Sequence, residues 1–173
     1  MTVEALTQTG IAIQKLIALV SAAPDFQVGT GTHSATAAAN LVFCPEKRNA
    51  TEYQQEQQSP AAFAVITLPE GSAETELVAG GGKNYFTLSG MLELQFIRQF
   101  EGDDKHEELV KFLNFSEGTW LYLLEHAAED DNLAITSAPR VSLTESSDQN
   151  VSGFAVQKRF HRAVYQVSWG PGV

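Results

Sequence analysis

Cysteine is almost missing from this chain, and bases are scarce. Cys44 is the one cysteine in 173 residues, so no disulfide can form within the chain. A reduced, intracellular place of folding fits that count. Cys44 closes the run Leu41-Val42-Phe43-Cys44 and reads as a small buried hydrophobe, not a nucleophile. Eleven lysines and arginines stand against 21 acids, a formal charge of −10. That balance argues against wrapping nucleic acid and against docking on an anionic lipid surface. No apolar run approaches the ~18 residues that a membrane-spanning helix needs. The N-terminal stretch carries Glu4 and no basic region, which does not fit a secretory signal. No Gly-x-Ser-x-Gly elbow is present. Gly80-Gly81-Gly82-Lys83 lacks the spacing of a phosphate-binding loop and leads into a strand-like segment instead of a helix. No repeat with a period of roughly 20–50 residues is visible.

What is present points to one folded domain spanning residues 1–173. Hydrophobic residues make up 43% and charged residues 18%, values of a globule that can bury a core. The most informative stretch runs from Tyr85 to Leu124. Apolar residues at 86, 88, 92, 94, 96 and 100 share the period of two that places them on one face of a strand. Gly90 interrupts the pattern and is expected to mark a bulge or bend. After Glu101-Gly102-Asp103-Asp104 the period becomes helical: Leu109, Phe112, Leu113, Trp120, Leu121 and Leu124. Asp104, with Glu107 three residues on, resembles a capping box. Gly118 is expected to break or kink this helix, with Ser116 capping a second segment.

Around that centre the remaining elements fall into place. Residues 4–21 read as an amphipathic helix with Leu6, Ile13, Leu16, Ile17 and Val20 on one face, stopped by Ala23-Pro24. Residues 25–60 are the least legible part: Gly29-Thr30-Gly31-Thr32 reads as loop, Asn40–Cys44 as a short strand ended by Pro45, and Glu46–Pro60 as an exposed polar loop. The run from Ala61 to Leu68 is almost continuously apolar, which predicts a central strand buried on both faces. Residues 70–84 read as an acidic, glycine-rich mobile loop that orders, or extends as a hairpin arm, only against a neighbour. Arg140–Thr144 and Phe154–Trp169 read as a closing hairpin. Its second strand changes phase near Arg162–Tyr165, which predicts a bulge or burial on both sides. The fold class expected is α+β: a mixed, largely antiparallel sheet of four to five strands, with the N-terminal helix and a central helix on one face.

No catalytic, cofactor-binding or metal-binding set emerges. His126 and Asp130 stand at i, i+4, but two ligands do not make a metal site. Were there a ligand cleft between helix and sheet, Trp120, His126 and His161 would be the residues to watch. Charge is distributed unevenly. Residues 101–131 hold ten acids and two bases, net 2 − 10 = −8; residues 140–173 hold four bases and two acids, net 4 − 2 = +2. Such asymmetry lets copies of one chain meet end to face. The candidate interface residues are Glu70, Glu74, Glu76, Gly80, Gly81, Gly82 and Lys83 in the loop, with Lys158, Arg159 and Arg162 on the hairpin.

Four places together resemble the tail terminator, or tail completion, proteins of long-tailed bacteriophages. They are the Leu6–Val20 helix, the Phe63–Leu68 strand between prolines, the long strand Phe86–Phe100 running through Gly102-Asp103 into a helix, and the closing Arg162-Ala163-Val164-Tyr165-Gln166-Val167-Ser168-Trp169-Gly170. The likeness covers most of the chain as topology and pattern. It implies a non-enzymatic structural protein without cofactor. It further implies a homohexameric ring at the head-proximal end of the virion tail, made in the host cytoplasm. Its partners would be the tail tube protein and a head-completion or neck protein, with DNA only as cargo passing through the lumen and no membrane. The alternatives are a tail-tube or head–tail joining protein of the same particle and, more distantly, a small soluble enzyme or ligand-binding module.

Overall fold

The computed structural model describes residues 8–44, 61–69, 73–80, 83–100, 104–127, 142–148 and 158–170. The chain is an α+β protein: a mixed, largely antiparallel sheet with helices packed against it. The helical elements are α1 (Gln8–Ala22), α2 (Pro24–Thr30), α3 (Ala35–Ala39) and α4 (Lys105–Ala127). The strands are β1 (Val42–Phe43), β2 (Ala62–Thr67), β3 (Ala73–Gly80), β4 (Lys83–Phe100), β5 (Ser142–Asp148) and β6 (Lys158–Trp169). They form one six-stranded sheet in the order β1-β2-β4-β6-β5, with β3 also on β4. Only β1 and β2 run parallel. The sixth strand, beyond the four or five expected, is β3.

Strand β4 is the organiser. Along one edge it pairs first with β3, from Gly80↔Lys83 to Ala73↔Gly90, and then with β2, from Thr67↔Glu93 to Ala62↔Arg98. Along the other edge it pairs with β6, from Gly90↔Trp169 to Phe100↔Arg159. Gly90 is therefore in register on both sides, and the strand passes through it with no inserted residue. The expected bulge is absent because Gly90 is where β3 pairing ends and β6 pairing begins.

Even positions 92, 94 and 96 of β4 face the helices, as their period demands. Leu92, Leu94 and Phe96 join Ala62, Ala64 and Ile66 of β2 and Ala163, Tyr165, Val167 and Trp169 of β6 in the main core. Helix α1 contributes Ala12, Leu16 and Val20; Ile13 and Ile17 pack at its margin. An aromatic chain links the layers: Phe26 stacks on Phe115 at 5.5 Å, Phe96 meets Phe115 and Tyr165 edge-on at 5.5 Å each, and Trp120 stacks on Tyr165 at 4.8 Å. Such pairs add about 0.5–1.5 kcal/mol each beyond the area they bury. Trp120 is thus a core residue under the sheet.

The opposite face of the sheet is also apolar at its centre. Phe63, Val65, Ile97 and Phe160 form a second buried cluster, with Leu41 and Phe43 packed beside it. This explains the nearly unbroken apolarity of β2. It also resolves the phase change in β6: pairing with β4 is continuous from Arg159 to Trp169, and Phe160 is buried on one face while Ala163, Tyr165, Val167 and Trp169 are buried on the other. The change of phase reflects two-sided burial, not a bulge.

Three local expectations are corrected. Gly29 and Thr30, which read as loop, belong to helix α2. Ala23 is extended before Pro24, Pro24 opens α2, and Gly31 at φ 70° ends it, with Thr32 N–H donating to Gln27 O at 2.9 Å. Ser34 then caps α3 by accepting from Ala37 N–H at 3.2 Å. Second, α4 is one continuous helix through Gly118, and Ser116 is buried inside it, not capping a second segment. Asp104 does cap its start, accepting from His106 N–H at 3.0 Å and Glu107 N–H at 3.1 Å. Third, residues 73–80, which read as part of a loop, form strand β3 and pair with 83–90 as an antiparallel hairpin. The polar stretch 46–60 lies outside the described residues.

Candidate assembly surface

The architecture sorts the candidate interface residues into two groups at opposite ends of β4. Lys83 is the first residue of β4, in register with Gly80; Glu74 and Glu76 lie in β3, in register with Ser89 and Thr87. Lys158 and Arg159 open β6, with Arg159 in register with Phe100, the last residue of β4. Seventeen steps of strand separate Lys83 from Phe100, on the order of 50 Å. The two groups therefore occupy two poles and do not converge. Glu70, Gly81 and Gly82 lie outside the described residues.

At the first pole, β3 and the segment 83–89 form a two-stranded ribbon. Strand β6 reaches only as far as Gly90, and β2 only as far as Glu93. Among the described residues, nothing else pairs with the ribbon. It extends past the sheet by seven residues of β4, on the order of 20 Å.

At the second pole, Lys158 stands in register with Asp148 of β5. Arg162 lies on the sheet face away from the helices, half-buried, and its Nη2 donates to Gln95 Oε1 at 2.7 Å. Gln95 is itself buried, and its Nε2 lies 3.5 Å from Glu93 Oε2. One side of the Arg162 guanidinium is thus committed within the chain. Sequence periodicity places these residues on one face but gives no sign of this link, which joins positions 67 residues apart.

The residues that would line a ligand cleft do not assemble one. Trp120 is in the core. His126 lies flat on Tyr122, ring centroids 3.9 Å apart, with Nδ1 2.9 Å from Tyr122 O. His161 is buried against Phe112 at 5.3 Å. Among the described residues no group of three or more His, Cys, Asp or Glu side chains could hold a metal ion; Asp130 lies outside them. No single described helix is long and apolar enough to cross a membrane. Burial pushes the Tyr165 hydroxyl up from the ordinary tyrosine pKa, with the neighbouring Ser116 hydroxyl acting the other way. On the surface of α4, Lys111 bridges Glu107 at 2.7 Å and Glu108 at 3.1 Å, and these carboxylates raise its pKa.

No protein-family model matches the chain, and no curated protein matches it.

Proposed function

We propose that this chain is a structural virion protein, a tail terminator whose copies close a homohexameric ring on the tail tube. The observation that carries the reading is the β3–β4 ribbon, which leaves the sheet with its long edges unpaired among the described residues. A two-stranded ribbon alone in water is marginally stable, and open strand edges pair readily with another chain. A neighbouring subunit supplies what one copy lacks. The order of elements supports the same reading: a helix, a central strand, a long strand leading into a helix, and a closing hairpin. Ring neighbours, the tube protein and a neck protein are then the partners, and the role is one of binding without chemistry.

The test is location. Imaging of assembled particles with this chain labelled should place it at the head-proximal end of the tail, in a single ring. A signal elsewhere in the particle, or outside it, overturns the proposal. Many stacked copies along the tail would make it a tube subunit instead.

A further inference from the structure

The β6 side of the sheet descends in three steps. Among the described residues, β4 is unpaired on that side from Lys83 to Ser89, β6 is unpaired beyond β5 from Tyr165 to Trp169, and β5 is open along its outer edge from Ser142 to Asp148. The steps are seven, five and seven residues long. Trp169 is level with Gly90, and Ser142 is level with Gln95 through Val164. The steps therefore follow one another along the strand direction with neither gap nor overlap.

A staircase of seven, five and seven is its own complement. Its centre is the level of Val167, which is in register with Leu92. A half-turn at that level, about an axis normal to the sheet, sets the β4 step of each copy against β5 of the other, and β6 against β6. The half-turn reverses strand direction, so all three contacts are antiparallel. It exchanges levels equally far above and below Leu92, even with even, so both copies keep their helices on the same face. The pairs it creates are complementary. Lys83 meets Asp148 and Leu88 meets Leu143. In the middle step Tyr165 meets Trp169 across the axis. Gly170 lies against Ser89, so the outer ladders end at Leu88. Opposite charges and aromatic pairs facing each other across antiparallel strands favour the joint.

We infer that two copies of this chain join along this stepped flank as a two-fold dimer, making one continuous sheet of 6 + 6 = 12 strands. The inference does not rest on the ring reading. A joint that uses the same surface on both copies closes on itself and adds no third copy, so it belongs to the free chain and differs from any six-fold contact. It leaves the outer edge of β3 open.

Crosslinking tests it directly. The half-turn sets Thr87 opposite Thr144 of the other copy. Inside one chain they are 97 − 87 = 10 residues apart along the sheet, on the order of 30 Å, because Thr144 aligns with Arg162 and Arg162 with Ile97. In a Cys44→Ser background, Thr87→Cys mixed with Thr144→Cys should give a covalent dimer with a short bismaleimide, and neither alone should. The double variant should give covalent dimer and nothing larger. A ladder of higher species overturns the two-fold, and a dimer in sedimentation without the crosslink overturns the joint. A chain that stays monomeric at millimolar concentration overturns the dimer. Lys83→Glu should weaken dimerisation about tenfold in low salt and less in high salt, and Asp148→Lys in the same chain should restore it; no recovery in the swapped chain counts against the register. None of these outcomes bears on the place of the chain in a virion, which is a separate measurement.

Discussion

Gly118 of α4 lies directly beneath Asp25 of α2, so close that a β-carbon at position 118 would run into the Asp25 carboxylate. One turn earlier on α4, Phe115 leaves no room for a β-carbon at Gly29 of α2. The two helices thus cross with a glycine on each side. Glycine costs about 1 kcal/mol against alanine inside a helix, and here close approach requires it. Gly118→Ala should therefore destabilise the fold by about 1–3 kcal/mol despite the gain in helix propensity. Adding Asp25→Ala should recover most of the loss. Urea unfolding of the two single variants and the double gives the coupling.

At the other end of the same helix, Asp104→Ala removes the acceptor for two amide groups. The expected loss is about 1 kcal/mol, read by thermal unfolding, with Asp104→Ser recovering much of it. No change would mean that the first turn of α4 contributes nothing to global stability.

The Tyr165 hydroxyl gives a pH dependence. Its folded-state pKa lies above the ordinary value of 10.0, chiefly through burial. A group whose pKa is raised on folding contributes stability below its unfolded pKa and loses it as pH rises through the folded one. Stability should therefore decline above about pH 10, and Tyr165→Phe should flatten that part of the curve. Urea titrations at stepped pH values measure both.

On the opposite face of the sheet, Gln95→Leu should leave a partly buried guanidinium without its acceptor, at a cost of about 1–3 kcal/mol. Arg162→Met in the same chain should be milder than Gln95→Leu alone, because no charge is then stranded. A double variant less stable than both singles would show that the Arg162–Gln95 bond is not the link that matters.

Replacing residues 75–88 by an Asn-Gly turn removes most of the ribbon, keeps the Glu74↔Ser89 register and leaves every described residue of both buried clusters in place. The monomer should keep its far-ultraviolet spectrum and most of its thermal stability, and ring formation on the tube should be lost. Limited proteolysis should cut the intact ribbon in the free chain and spare it after assembly. Equal cutting in both states would sink the idea.

Legibility followed the strength of the local signal. The two-sided apolarity of β2, the stop at Ala23-Pro24, the cap at Asp104 and positions 92, 94 and 96 of β4 each have a direct physical cause, and each forms as its pattern demands. Gly118 misled because a helix-breaking residue and a close-packing residue look alike until the neighbour, Asp25, is known. Helix α3 is Ala-Thr-Ala-Ala-Ala, too short and small for a periodic signal. Strand β3 is hidden by Glu74, Glu76 and Gly80, residues poor in strand propensity that are held there by β4. The interface candidates were legible as charges, but periodicity has no means of placing Lys83 and Arg159 at opposite ends of one long strand, or of tying Arg162 to Gln95.

The length of β4 also bears on how the chain is made. Its pairing with β2 joins residues up to 36 positions apart, Ala62 with Arg98, and is complete once Phe100 has emerged from the ribosome. Its pairing with β6 joins residues up to 79 apart, Gly90 with Trp169, and must wait until β6 has been synthesised. Until then the nascent domain holds α1, α2 and α4 over a core that still lacks Tyr165, Val167 and Trp169, with one flank of its longest strand bare. Closing so long a loop is entropically slow, and an unpaired flank invites aggregation. The twelve residues of β6 therefore act as a latch, and their emergence is the moment at which this fold is secured.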